Sequence, residues 1–342
     1  MKKFIIFRTD RLGDFLIITN IIKAIKNKYK NSHITLVGSP YNKKIINNYK
    51  IIDKVIIYNK KSSFFEKISI FKEITKTFYY CSLSLDGKSF SNFTNFFLNA
   101  QLKYGISYLF KFFFFKWSKP NFIYNYLVFN KFETFSSRNS LKKVEHLPTL
   151  LIKLANNLKL NLSTKNNYFY EIKKKSTEKS NEIFKNKIKS KFVLIHLDEK
   201  WKDISKIDLD FSNELIIFQK KIRKKIVLTS NKNNFLYYKK LKKDLKKNRN
   251  IIFLENLSLN IFERIINLSS YAISCHSGFL VQISGFNNTN IIDVINKKDF
   301  TWYSCWKPYN TRHKFVFKSD MNRKINLNSI FKQIINASKR LK

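Results

Sequence analysis

Apolar residues follow two rhythms along this chain. Short β-rich runs at 3–7, 33–37, 54–58 and 80–85 have the length and composition of strands. Between them the apolar positions fall three and four apart. From 14 to 30 they are Phe15, Ile18, Ile21, Ile22, Ile25 and Tyr29, with Lys23, Lys26, Asn27, Lys28 and Lys30 mostly on the opposite face. The pattern also predicts helices over 41–49, 64–77 and 90–99. Strand–helix alternation of this kind calls for a parallel, doubly wound sheet. An irregular aromatic stretch, 104–135, and a longer helix over 141–158 follow.

The rhythm restarts after a polar, lysine-rich stretch, 161–190. Strands predicted at 192–197, 225–229, 251–254, 271–275 and 290–294 alternate with helices near 211–221, 234–246 and 260–268. A last amphipathic helix covers 327–341. The halves share a rhythm without sharing residues, so no short repeat explains it. The expectation is an α/β protein of two Rossmann-like domains facing across a cleft: residues 1–165, a linker over 166–190, and residues 191–342.

Composition narrows the partners. Hydrophobic residues make up 44% of 342, with 34 Phe, which is enough for two cores. The net charge of +43 attracts anions. Lysine supplies 57 of the 66 basic residues and is spread over the whole chain. Nucleic-acid readout draws on the arginine fork, so this distribution argues against a nucleic-acid partner. What remains is a positive surface suited to phosphate-bearing lipids or sugars. Cys81, Cys275 and Cys305 are too far apart for a C-x-x-C, so neither a disulfide framework nor a zinc site is indicated. Arg8, Asp10, Arg11 and Asp14 break any signal-peptide core, and no apolar run reaches the ~20 residues of a membrane span. A cytoplasmic protein is expected.

Candidate chemistry sits at strand ends. The chain has six glycines, and Gly13 falls in the turn between the first strand and the first helix. Asp14 at that helix start is either a cap or a base. Ser277-Gly278 follows a strand and opens a helical segment over 279–285, a place where backbone N–H groups bind phosphate. Lys200 lies just past the strand at 192–197, with Lys202 and Lys206 close by, and can neutralise a diphosphate without a metal. Trp201 either stacks on a base or sugar or packs. Thr229 and Ser230 either reach a nucleotide or simply end a strand. The aromatic segment 108–117, edged by lysines, either docks on an anionic leaflet or fills a core. Asp208-Leu209-Asp210 spells D-x-D but reads as helix capping. No G-x-G-x-x-G follows the first strand, so a dinucleotide has no glycine cradle there.

These motifs come in a familiar order. Arg11-Leu12-Gly13-Asp14 after a first strand resembles the N-terminal motif of glycosyltransferase family 9, the ADP-heptose:lipopolysaccharide heptosyltransferases. Asp86-Gly87-Lys88-Ser89 and Lys103-Tyr104-Gly105-Ile106 resemble the acceptor-domain strand end and the turn after it. The run from Ile195 to Trp201 sits where that family's donor domain begins, with a phosphate-binding lysine. Ser274-Cys275-His276-Ser277-Gly278 takes the place of its Asp-Ser/Thr-Gly loop, and Trp306-Lys307-Pro308 resembles a late donor-domain loop. The resemblance implies a GT-B fold and an inverting, metal-independent sugar transfer. A nucleoside-diphosphate donor, with heptose as one candidate sugar, would give its sugar to an anionic, lipid-linked or polysaccharide acceptor at the inner face of the cell membrane, with no cofactor. It further implies Asp14 as the base, and Arg11, Gly13 and Lys88 at the acceptor. Lys200, Thr229, Ser230, His276, Ser277 and Gly278 would hold the donor. Two positions depart: the family's Asp is His276 here, and its later His is Val281. The competing class is a non-catalytic binding protein, either transferase-like or basic and nucleic-acid-associated.

Overall fold

The computed structural model describes residues 1–112, 115–119, 122–136, 138, 145–163, 188, 191–198, 200–201, 204, 209–230, 238–309, 311–320 and 323–341. The chain divides into two compact units. One comprises Met1–Glu171 with Ser304–Trp306, the other Ile172–Tyr303 with Lys307–Lys342.

The first unit runs β1 (Lys3–Phe7), α1 (Leu12–Leu16), α2 (Thr19–Lys28), β2 (His33–Gly38), α3 (Lys43–Ile46), β3 (Lys54–Ile57) and α4 (Phe64–Thr75). It continues through β4 (Tyr79–Ser84), α5 (Ser89–Phe97), β5 (Ala100–Phe112), β6 (Phe115–Lys119), α6 (Phe122–Val128), β7 (Lys131–Ser136) and α7 (Leu147–Asn156). The strands lie in the order β3-β2-β1-β4-β5, with β7 parallel to β5 and β6 antiparallel to its far end. Residues Phe4 to Phe7 of β1 are wholly buried. A central parallel strand is covered on both faces, which is why its sequence is an unbroken apolar run rather than an alternation.

The second unit holds β8 (Phe192–Leu197), α8 (Leu209–Ile222), β9 (Lys225–Ser230), α9 (Tyr238–Asp244), β10 (Ile251–Glu255) and α10 (Leu259–Leu268). Then come β11 (Ser269–Ser274), α11 (Gly278–Phe286), β12 (Asn290–Asn296), α12 (Phe300–Ser304), β13 (His313–Asp320), β14 (Arg323–Lys324) and α13 (Leu327–Lys339). Its sheet order is β10-β9-β8-β11-β12-β13-β14, parallel except for β14. Both sheets therefore share the 3-2-1-4-5-6 winding of the Rossmann fold. A core of Val193, Ile195, Phe211, Leu215, Phe218, Ile273, Ile330 and Phe331, among others, joins α8 and α13 to this sheet.

Several expectations need correction. The helix expected over 14–30 starts at Leu12 and breaks after Leu16, where the Thr19 hydroxyl donates to the Leu16 carbonyl at 2.8 Å. The aromatic stretch 104–135 is regular: it carries most of β5 with β6, α6 and β7. It reads as irregular because three strands and one short helix of five to thirteen residues share it, and its aromatic residues fit neither a strand nor a helix period throughout. The strand β13 escaped notice, although Phe315, Val316 and Phe317 form an apolar run between basic residues. Described portions of the helices expected over 141–158 and 234–246 are Leu147–Asn156 and Tyr238–Asp244, and residues 141–144 and 234–237 lie outside the described residues. So do Lys202, Lys206, Asp208, most of the linker 166–190, and the side chains of most of the segment 108–117.

Candidate functional site

In each sheet the winding reverses between two adjacent parallel strands, and loops at such a switch point open a crevice at the strands' carboxyl ends. In the first unit those strands are β1 and β4. The loop after β1 carries Arg8 to Arg11; the loop after β4 carries Leu85 to Lys88.

Arg8 organises this end of the sheet. Its side chain has no solvent exposure, its Nε donates to the Asp14 carbonyl at 2.9 Å, and Nη1 donates to the Leu85 carbonyl. Nη1 lies 3.7 Å from Asp10 Oδ2 and Nη2 lies 3.7 Å from Asp14 Oδ1. Burial works against the Arg8 charge, but Asp10 and Asp14 more than offset it and raise its pKa. Asp86, also fully buried, accepts from the Thr9 hydroxyl at 2.6 Å, the Thr9 N–H at 3.0 Å, the Ser91 hydroxyl at 2.8 Å and the Lys88 N–H at 3.1 Å. Gly87 sits at φ +59°, and a Cβ there would meet the Tyr108 ring at 2.5 Å. Only glycine fits that turn.

Two carboxylates, Asp10 and Asp14, thus face one buried guanidinium, with Asp86 close enough to add to its field. Asp10 pays for the crowding in its titration. Burial pushes its pKa up to about 6, with Asp14 and Asp86 adding to the effect and Arg8 opposing it. Lys88 Nζ, 3.1 Å from Asp10 Oδ1, supplies a second cation. Asp14 is the third residue of α1, and its Oδ2 accepts from the Arg11 N–H at 3.1 Å, so the capping role weighed from the sequence is real. Its other oxygen faces Arg8, and its side chain keeps 22% of its exposure against 11% for Asp10. Asp14 is the more available carboxylate. Arg11 is exposed beside it, and Gly13 is buried.

In the second unit the switch point lies between β8 and β11. The Lys200 amine donates to the His276 carbonyl at 2.7 Å, which brings a charged side chain to the loop that opens α11. Ser277 is half-buried and Gly278, the first residue of α11, is exposed. The Lys200 backbone is held in turn: its N–H donates to Asp198 Oδ1 at 3.1 Å, and the Lys318 amine donates to its carbonyl at 2.7 Å. Trp201 packs rather than stacks on a ligand, for it is fully buried and its Nε1 donates to the His196 carbonyl at 2.8 Å. Thr229, 2% exposed, has its hydroxyl 3.0 Å from His196 Nδ1, and Ser230 is buried beside it. Burial, with Lys200 nearby, depresses the pKa of His196 to about 4.

His276 stands at φ +55°, unusual for a side chain with a Cβ. Its N–H donates to Asp293 Oδ1 at 2.6 Å and its Nδ1 lies 2.5 Å from Asp293 Oδ2. Two hydrogen bonds to one carboxylate hold the strained backbone in place. Asp293 and its neighbour His313 were not recognised from the sequence. Pro308 packs against Gly285, where a Cβ would clash, so the loop of Lys307 and Pro308 lies along α11. Val281 is buried on the same helix.

No family model matches the sequence, and no curated protein matches it either. Solved structures do. A family 9 glycosyl transferase from Veillonella parvula is 14% identical and superposes with a TM-score of 0.72, covering 99% of this chain and 97% of its own. The heptosyltransferase WaaC of E. coli, solved with ADP-2-deoxy-2-fluoro heptose, is 14% identical at a TM-score of 0.66, covering 98% and 99%. A UDP-GlcNAc 2-epimerase from Methanocaldococcus jannaschii is 13% identical at 0.52, covering 99% and 100%. This chain has the two-domain α/β GT-B fold of those proteins.

Proposed function

We propose that the chain is a glycosyltransferase that moves a sugar from a nucleoside diphosphate to an acceptor hydroxyl with inversion and without a metal. The observation that carries this reading is the Lys200 amine, 2.7 Å from the His276 carbonyl and beside the exposed N-terminus of α11. A cation and a helix N-terminus side by side suit a diphosphate, and they stabilise the charge that grows on it as the glycosidic bond breaks. In the first unit Asp14 takes the proton of the attacking hydroxyl, while Arg11 and Lys88 attract an anionic acceptor. The heptose nucleotide bound to the E. coli neighbour supports ADP-heptose as the first donor to try.

A thermal-shift panel of nucleotide sugars, UDP-N-acetylglucosamine and ADP-heptose included, tests the donor site. A ligand that binds only the folded state raises the melting temperature. One member of the panel raises it in the wild type, and Lys200→Ala removes most of that rise. A panel without any response contradicts the reading. Binding without transfer, whatever acceptor is offered, favours the non-catalytic alternative.

The surface of the first unit supports work at an anionic membrane. Phe64 and Phe65 on α4 are 72% and 81% exposed, and Phe93, Phe96 and Phe97 on the adjacent α5 are about half exposed. Tyr126 and Leu127 on α6, which packs against α5, extend the apolar face. Lys60, Lys61 and Lys72 are exposed around α4. Aromatic side chains flanked by lysines suit a lipid headgroup layer. No helix among the described residues is long and apolar enough to cross a membrane. The protein therefore sediments with vesicles containing phosphatidylglycerol, and Phe64→Ser with Phe65→Ser weakens this about tenfold or more. Equal sedimentation of wild type and variant removes the membrane role.

A further inference from the structure

The far end of the second sheet carries a feature that sugar transfer leaves unused. A cavity of about 330 Å³ opens at the amino ends of β8, β11 and β12, beside the carboxyl-terminal turns of α8 and α13. The donor loops follow the other ends of the same strands. β8 has six residues rising ~3.3 Å each, so about 20 Å separates the cavity from Lys200 and the start of α11. Four lysines line the cavity: Lys191 just before β8, Lys221 in the last turn of α8, Lys224 just before β9, and Lys339 in the last turn of α13. Among the described residues no carboxylate side chain lines it, and Ile222, Tyr271 and Ile335 supply an apolar wall.

Backbone turns and side-chain bonds fix this frame. Arg223, at φ +52°, ends α8 with its N–H on the Gln219 carbonyl at 3.0 Å and leads straight into Lys224 and β9. The Lys224 amine donates to the Ser270 hydroxyl at 3.0 Å, which leaves two of its three N–H groups for a ligand. Asn290 and Arg312 each donate to the Leu341 carbonyl at 3.2 Å and fasten the chain after α13 to the sheet. Lys191, Lys221 and Lys339 are exposed, and their amines make no hydrogen bond or ion pair among the described residues. A lysine in the last turn of a helix ordinarily serves the helix dipole, which accounts for Lys221 and Lys339. It does not account for Lys191 and Lys224, which precede strands. Four like charges around one opening repel one another, and an anion relieves that repulsion.

We propose that this cavity binds a phosphate group on a short carbon skeleton, whether a free sugar phosphate or the headgroup of an anionic phospholipid. Lys191, Lys221, Lys224 and Lys339 surround the phosphate oxygens, while Ile222, Tyr271 and Ile335 cover the carbon atoms. The volume lies at the small end of the ~300–1,000 Å³ of ligand pockets, which suits such a group better than a whole nucleotide sugar. The site does not depend on the donor reading and survives its failure.

Inorganic pyrophosphate is the soluble probe, and the parent protein for the test carries Lys200→Ala so that the donor loop does not contribute. Titration calorimetry at about 0.15 M salt, which screens exposed charges beyond ~8 Å, compares this parent with two derivatives. One adds Lys221→Glu and Lys339→Glu at the cavity. The other adds Lys239→Glu and Lys243→Glu, exposed on α9, and changes the net charge by the same amount. The parent binds, the cavity pair weakens binding about tenfold or more, and the control pair weakens it less than about twofold. Equal weakening by both pairs shows that the probe reads net charge alone, and overturns the proposal. If wild type binds and the Lys200→Ala parent does not, all binding belongs to the donor loop: this site falls and the donor reading stands. Sedimentation with vesicles containing phosphatidylglycerol then separates the two sources. A headgroup site makes the cavity pair sediment less than the control pair, whereas a site for soluble phosphates leaves the two alike.

Discussion

Asp14→Asn lowers sugar transfer about a hundred- to ten-thousandfold, the usual contribution of a positioned base, and leaves nucleotide binding nearly unchanged. The substitution suits the site because an asparagine oxygen still accepts the Arg11 N–H that Asp14 takes at 3.1 Å. The Arg8 Nε bond is to the backbone carbonyl of residue 14 and survives any side-chain change. Loss of rate with a retained fold therefore reports on proton removal. Initial rates with donor and acceptor, read beside a melting curve, make the measurement. Asp10→Asn is the control. Burial raises the pKa of Asp10 to about 6, but its side chain is mostly buried between Arg8 and Lys88 and its removal costs far less turnover. Full activity in Asp14→Asn refutes the assigned base.

Arg8→Met destabilises the protein by about 3–5 kcal/mol, because it removes the buried cation facing carboxylates that stay behind. For a unit of this size that lowers the melting temperature by about 10 °C. The loss depends on pH with a definite sign. Burial, Asp14 and Asp86 already raise the folded-state pKa of Asp10 above its unfolded value, and only Arg8 and Lys88 hold it down. Without Arg8 it rises further. A raised folded pKa means that the folded state binds the proton more tightly, so stability is lost as pH climbs through that value. The deficit of Arg8→Met is accordingly larger at about pH 8 than at about pH 5. A melting temperature within a degree or two of wild type at both would show that Arg8 does not hold the cluster together.

Much of the fold is legible in the sequence for a physical reason. β1 and β8 are central parallel strands, and the apolar runs Phe4–Phe7 and Phe192–Ile195 mark them. The winding rule then locates both switch points, which is why Asp14, Lys88, Lys200 and the Ser277-Gly278 turn lie at strand ends where a ligand can reach backbone and charge. Partnerships across the sheet are not legible. Nothing near Arg8 in sequence shows that it will be bonded to the Leu85 carbonyl, 77 residues away. Trp201 offers the same surface to a ligand or a core until its burial is known. Asp293 did leave a trace: one carboxylate inside Asn290–Asn296, otherwise apolar at its centre, demands a buried partner. His276 and His313 are that partner, and only the parallel pairing of β11, β12 and β13 brings them together.

Sugar transfer as proposed requires a diphosphate to settle at the start of α11. A crystal structure of the protein soaked with ADP, or with the nucleotide that performs best in the thermal-shift panel, tests this most directly. The expected density places the phosphates within hydrogen-bond reach of the Lys200 amine and the Gly278 N–H. Phosphates bound elsewhere, with Lys200 still turned to the His276 carbonyl and the α11 N-terminus bare, would contradict it.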